Sequence, residues 1–295
     1  MANLKEIRTR LSSVKSTRQI TSAMKMVAAA KLRKAQDRIV ALRPYAGKLH
    51  EILLGLSMMI DDTENETSYS FQGDSKKILI IIITSNRGLC GAFNANVIRE
   101  AQRIIINEYS EELKNGNLWI MAIGKKGKDH FTRLGYNIYE DHSSIFENLS
   151  FENTSEIAQK IITGFLNDEF RRIEIVYNQF RNAAVQDLTH EAYLPVEAKT
   201  SDEDISKNIS DYIYEPSKEE IINELIPKSL KVQFFKAILD SFVAEHGARM
   251  TTMHMATDNA TELIRELTLE YNKARQASIT NEILEVVSGA EALRG

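Results

Sequence analysis

KSLKVQFFKAILDSFVAEHGARMTTMHMATDNATELIRELTLEYNKARQASITNEILEVVSGAEAL, residues 228–293, follows Pro227 and contains no proline of its own. Within it Phe235, Leu239, Phe242, Met253, Ala256, Ala260, Leu263, Leu267 and Ala274 share one alternating three-and-four spacing. Such a spacing is the apolar seam of a helix that packs against another helix. At about 1.5 Å per residue the run reaches close to 100 Å, far more than a small domain is wide. The spacing shifts near the end to Ile279, Ile283, Val286, Ala290 and Leu293.

A partner stands at the other end of the chain. Residues 1–60 read as a second long helix, with Asn3 and Glu6 placed as a capping box. Leu4, Ile7, Leu11 and Val14 open a seam; the apolar phase then slips and resumes at Leu32, Ala35, Ile39, Leu42, Ala46, Leu49, Leu53, Leu56 and Ile60. A slip of this kind changes supercoil winding without ending the helix. Pro44 and Gly47 allow a kink or a break. Helices at opposite chain ends pair as an antiparallel coiled coil, residues 1–60 with 217–295. Residues 61–75 are polar and read as a linker or loop.

Between them, over 76–215, the period changes. Residues 76–84 form an aliphatic run buried on both faces, the pattern of a parallel-sheet strand. Further strands are expected at 118–123, 136–140, 173–180 and 185–194, with helices at 94–109, 124–133 and 154–170. Residues 199–210 are polar, and 212–214 read as an added strand before Pro216. The alternation predicts a Rossmann-like open α/β domain. The fold class is therefore α/β, with a long antiparallel coiled coil attached.

Composition is that of an ordinary soluble protein, 43% hydrophobic and 26% charged over 295 residues. A single cysteine, Cys90, excludes an internal disulfide framework. There is no secretory signal pattern, and the longest aliphatic run, 78–83, is far too short to cross a membrane. The net charge of −4 hides an asymmetry: residues 1–50 carry twelve basic and two acidic side chains, and the remainder nets −14. A basic arm on an acidic body points to an acidic partner, protein or nucleic acid. Lys25, Lys31, Arg33, Lys34 and Arg38 stand there among Met24, Met26, Val27 and Ala28 to Ala30, and the first forty residues hold no aromatic. Base-reading surfaces usually add aromatic or polar groups, which favours a protein partner.

The turn Arg87-Gly88-Leu89-Cys90-Gly91 follows a strand and precedes a helix, but has neither GxGxxG spacing nor a P-loop ending. It reads as a structural turn. The histidines are not spaced for a metal, and no catalytic constellation stands out. No cofactor is expected.

Three stretches resemble one family. Residues 20–31, ITSAMKMVAAAK, look like the N-terminal signature of the gamma subunits of rotary ATP synthases. Residues 84–91, TSNRGLCG, resemble the same family's central motif, and 267–293, containing YNKARQASIT and VSGA, its C-terminal signature. The resemblance implies the central rotor shaft of a proton-translocating F-type ATP synthase, coupling c-ring rotation to the conformational cycle of the catalytic beta subunits and regulating ATPase activity. It implies partners: three alpha and three beta subunits, the epsilon subunit and the c-ring, with one copy per complex. The membrane is reached only through the c-ring, nucleic acid is not a partner, and the place is the cytoplasmic face of a bacterial inner membrane. Arg275 and Gln276 match positions that touch the beta subunit's catch loop, and Met24 and Lys25 match the facing site on the first helix. Ile279, Ile283 and Val287 fall where the bearing of the ring is expected. Departures are small: Asn86 stands where an acid is common, Gly247 replaces a usual alanine, and Glu291 places a charge in the tip.

Overall fold

The computed structural model describes residues 4–58, 69, 74–196 and 218–292. The cap at Asn3, most of the 61–75 linker, the polar segment 199–210, the strand at 212–214 and Pro216 lie outside the described residues. Two compact units are present, one made of residues 1–29 with 249–295 and the other of residues 30–248.

The larger unit is built on five strands, β1 (Ile78–Ile83), β2 (Leu118–Ile123), β3 (Asn137–Asp141), β4 (Arg172–Phe180) and β5 (Gln186–Leu194), in the order β3-β2-β1-β4-β5. The first four run parallel, and β5 returns antiparallel along β4 as an edge strand. β1 sits centrally and is buried throughout. Because strand side chains alternate, Ile78, Ile80 and Ile82 face one core and Leu79, Ile81 and Ile83 the other. The first core is covered by α2 (Phe93–Glu108), through Val97, Ala101, Ile104 and Ile105, with Phe131 from α4 (Lys125–Arg133). The second is covered by α5 (Phe151–Leu166) and by Ile226, Leu230, Phe234 and Ile238 of the last helix.

Several boundaries differ from the sequence expectation. α5 starts three residues earlier than 154, because Ser150 caps it by accepting from the Asn153 amide. It ends at Leu166, where Asp168 turns into the left-handed region and drops Phe170 into the core. A short helix α3 (Ser110–Lys114) and a 3-10 turn at Ser143–Glu147 were not anticipated; both are too short to carry a period. The last helix, α6 (Lys218–Ala292), starts within a residue of the expected 217 and runs through Pro227. Likewise α1 (Leu4–Met58) runs through Pro44 without a break.

The expected phase slip in α1 is absent. Leu4, Ile7, Leu11, Val14, Arg18, Thr21, Lys25, Ala28, Leu32, Ala35, Ile39, Leu42, Ala46 and Leu49 are all buried or half-buried, in one unbroken three-and-four series. Between Val14 and Leu32 the seam is carried by Arg18, Thr21, Lys25 and Ala28, which a hydrophobicity count passes over. An undisturbed seven-residue repeat is the signature of left-handed supercoiling.

In the smaller unit, α1 leaves at residue 29 and α6 enters at 249, so the helices run antiparallel. The Thr21 and Thr257 hydroxyls lie 2.9 Å apart across the pair. On α6 the seam is Met253, Ala256 and Thr257, Ala260, Leu263 and Ile264, Leu267, Tyr271 and Ala274, all buried or half-buried, as the spacing predicts. Between 230 and 249 the pattern differs. Here α6 is buried nearly all round, and Phe235 and Phe242, expected on the seam, are half-buried and meet other elements of the larger unit. Phe242 stacks on Phe146 at 5.9 Å, and Phe235 meets Phe151 edge-on at 5.7 Å.

Candidate partner-contact surface

The 84–91 turn illustrates how a motif can be spent on structure. The Thr84 hydroxyl donates to the Gly124 carbonyl and accepts from the Gly127 amide. The Ser85 amide donates to Asn94 Oδ1, and its hydroxyl to the Arg87 carbonyl. Asn86 uses both ends of its amide, donating to the Ser143 carbonyl at 2.8 Å and accepting from the Lys125 amide at 3.1 Å. Leu89 and Gly91 take positive φ, which tightens the turn. Cys90 is buried, with Asn94 Nδ2 donating toward its sulfur at 3.3 Å. These polar groups satisfy one another and clamp the ends of β1 and β2. An acid at 86 could not donate to Ser143, which accounts for asparagine there.

Among the described residues no group of three or more His, Cys, Asp or Glu could hold a metal ion. No described helix is long and apolar enough to cross a membrane.

The unspent chemistry lies on the helical unit. α1 begins at Leu4, level with about residue 274 of α6 in the register set by Thr21 and Thr257. Beyond that level α6 continues to Ala292 with no partner helix among the described residues. Arg275, Gln276 and nearly every side chain after them are exposed. The apolar ones include Ile279 at 47% exposure, Ile283, Leu284, Val286 at 72% and Val287. A helix end bearing that much bare aliphatic surface is built to be covered.

Lys25 occupies a seam position facing α6, and Met24 beside it is also half-buried. The residues that point away are Ile20, Met26 at 65% and Val27 at 58%, joined on α6 by Met255 and Leu269. Met26 and Val27 were singled out in the sequence within the basic arm; Ile20, Met255 and Leu269 were not. Their signal was present, since each is apolar and falls off the seam spacing. The pair Met24 and Lys25 does not meet Arg275 and Gln276. In the antiparallel register Met24 is level with about residue 254, so the two sites are about 30 Å apart along the helices. Arg275, Gln276, Ile279, Ile283 and Val287 belong to one end, and Met24 and Lys25 to a separate level.

Residues 3–293 match the family model described as ATP synthase. An ATP synthase gamma chain from Flavobacterium johnsoniae is 55% identical over 295 residues, covering all of both chains. One from Chloroherpeton thalassium is 47% identical, covering 99% of each. Among solved structures, a chain of the central stalk and c-ring assembly of the Tetrahymena thermophila mitochondrial ATP synthase superposes with a TM-score of 0.60 at 25% identity. It covers 80% of this chain and 99% of that one. A chain of the Euglena gracilis mitochondrial ATP synthase reaches a TM-score of 0.70 at 22% identity, covering 98% and 94%, and shares the fold.

Proposed function

The chain belongs to the gamma-chain family of the ATP synthases, and from that premise we propose how its parts divide the work. It is the central rotor shaft, coupling ion-driven rotation of the c-ring to the conformational cycle of the catalytic beta subunits. It thereby supports ATP synthesis and ion transport as a subunit of the complex, and ATP is made on the beta subunits. The nucleic-acid reading of the basic arm is not supported by the relatives named above, which are ATP synthase gamma chains.

Residues 1–60 and 217–295 form the shaft, and 76–215 the domain that carries the epsilon subunit and sits on the c-ring. One copy stands inside a ring of three alpha and three beta subunits, peripheral to the membrane on the cytoplasmic face of a bacterial cell. Arg275 and Gln276 meet the beta catch loop, Met24 and Lys25 meet the ring at a second level, and Ile279, Ile283 and Val287 turn in its sleeve. An asymmetric shaft touches each beta subunit differently, so each is biased toward a different state. Carrying one subunit from 1:99 to 99:1 takes about 5.5 kcal/mol of differential contact, which several small contacts at two levels supply. The basic arm then faces acidic loops of the ring, where exposed ion pairs of under about 1 kcal/mol let go at each step.

The observation that carries this reading is the end of α6, exposed and apolar where no helix among the described residues covers it. The test is reconstitution with an alpha–beta ring. The chain is expected to enter at one copy per ring, to have no ATPase activity alone and to restore rotation-coupled turnover. Failure to join the ring overturns the proposal.

A further inference from the structure

Arg43 of α1 reaches two other elements of the larger unit with a single nitrogen. Its Nη2 donates to Asp240 Oδ1 of α6 at 2.8 Å and to the carbonyl of Phe180, the last residue of β4, at 2.7 Å. Asp240 is fully buried, while the Arg43 side chain is 40% exposed. Arg43 Nε and Asp240 Oδ2 are also buried, each without a hydrogen-bond partner. One heptad further along α6, Gly247 packs on the turn that follows β4. A Cβ there would lie 3.2 Å from Ala183 Cα and 3.5 Å from the Phe180 ring. Residues 240 and 247 lie on one stripe of the helix, so the end of β4 grips α6 at two heights.

As a stabilising device this pair is poorly made. A buried ion pair with unsatisfied atoms is often no better than two apolar side chains of the same size. Its geometry gives something an apolar pair does not, a single allowed register. The α1 seam over Leu32, Ala35, Ile39, Leu42, Ala46 and Leu49 repeats every seven residues and offers similar contacts after a slip of one repeat. Only one alignment brings position 43 to position 240.

Resting on the shaft reading, we propose that Arg43, Asp240 and the Phe180 carbonyl form a registry pin that locks α1, α6 and the sheet together under torque. Arg43 and Asp240 are positioning residues for coupling. Torque delivered to the α/β unit shears the two helices against each other and against β4. The hydrophobic seam resists separation but is non-directional, so it yields to sliding. The charged pair resists sliding, because any displacement strands a buried carboxylate.

The test uses the intact, membrane-reconstituted ATP synthase carrying Arg43→Met together with Asp240→Leu, beside Arg43→Lys and Asp240→Asn. The double variant is expected to keep complex yield, thermal midpoint and ATP hydrolysis. It is expected to lose ion pumping per ATP hydrolysed, and to widen the angular fluctuation of a probe on the α/β unit when the ring end is held. Arg43→Lys retains both readouts, since one nitrogen makes both bonds. Wild-type pumping and angular width in the double variant overturn the pin. So does a pumping loss that follows a lowered thermal midpoint in every variant, Arg43→Lys included, because that is the mark of a structural role. Should the double variant not assemble, Asp240→Asn is read the same way, and an unchanged angular width in it refutes the proposal. A wild-type chain that fails to form a coupled complex removes the shaft reading instead, which is a separate outcome.

Discussion

Glu174 lies fully buried on β4, facing α2, and accepts three hydrogen bonds. Tyr109 Oη and Arg172 Nε meet Oε1 at 2.5 and 2.8 Å, and His190 Nε2 meets Oε2 at 2.8 Å. Burial alone would raise its pKa, but the hydrogen bonds from His190, Tyr109 and Arg172 outweigh burial and hold it below the usual value. The same contact, against the cost of burial, raises His190. Glu174→Gln keeps the shape and removes the charge. The Tyr109 bond drops to the neutral range, the Arg172 bond keeps only one of its two charges, and the NH2 that replaces Oε2 cannot accept from a protonated His190, a loss of about 1 kcal/mol apiece. Because Arg172 and His190 are each more than a quarter exposed, solvent recovers part of that, leaving about 2 kcal/mol. The signs with pH follow from linkage. A raised histidine contributes fully below its unfolded value of about 6.5 and loses its contribution as pH climbs through the folded value. A depressed carboxylate contributes above about 4.3 and loses it as pH falls through its folded value. Both terms are therefore complete between about pH 4.5 and 6.5. The assay is urea unfolding of the purified chain followed by Trp119, its one tryptophan, on β2 of the same sheet. Wild type loses stability as pH rises above about 6.5, and Glu174→Gln starts lower and lacks that slope. A variant within about 0.5 kcal/mol of wild type at pH 6, a typical surface-substitution effect, or one with the same slope, refutes the reasoning.

Three further substitutions test other parts. Gly124 has φ of +116°, and a Cβ on it would stand 2.1 Å from the Thr84 carbonyl oxygen; Gly124→Ala is expected to cost more than about 3 kcal/mol in the same unfolding assay. Asn86→Asp replaces the amide that donates to Ser143 with an oxygen facing an oxygen, and about 1–3 kcal/mol should be lost; unchanged stability would show that the bond is not formed. Arg275→Ala removes an exposed side chain, so the unfolding curve should move by less than about 0.5 kcal/mol while coupled turnover or assembly of the reconstituted complex falls.

The sheet was legible because its signal is strong and local. Six consecutive aliphatic residues at 78–83 leave few structures available, and β1 and β2 match the expected strands closely. The α1 seam was only half legible. Apolarity marks a seam only where burial is complete, and at Arg18 and Lys25 long side chains cover the interface with their carbon stems. The pair of contact sites was legible as residues but not as a place, since their 30 Å separation (about twenty residues of rise) depends on a register no single helix encodes. The Arg43 contact was invisible for the same reason. Its partners are 137 and 197 residues away in the chain.

The end of α6 distinguishes one kind of partner from another. At about 100° per residue, Val286, Ile279, Ile283, Val287 and Leu284 spread over about 160° of the helix surface. The seam residues Met253, Ala256, Thr257, Ala260, Leu263, Ile264, Leu267, Tyr271 and Ala274 spread over about 120° by the same measure, so the tip is the broader face. An unsupported helix of this length is also marginal in water, so it gains most from an enclosure touching it on several sides. Aliphatic contact suits an enclosure in which the helix must turn, because burial of carbon has no preferred direction. Charged and hydrogen-bonding side chains, which do have one, stand at both levels, Arg275 and Gln276 below and Asn281, Glu282 and Glu285 beside the aliphatic face.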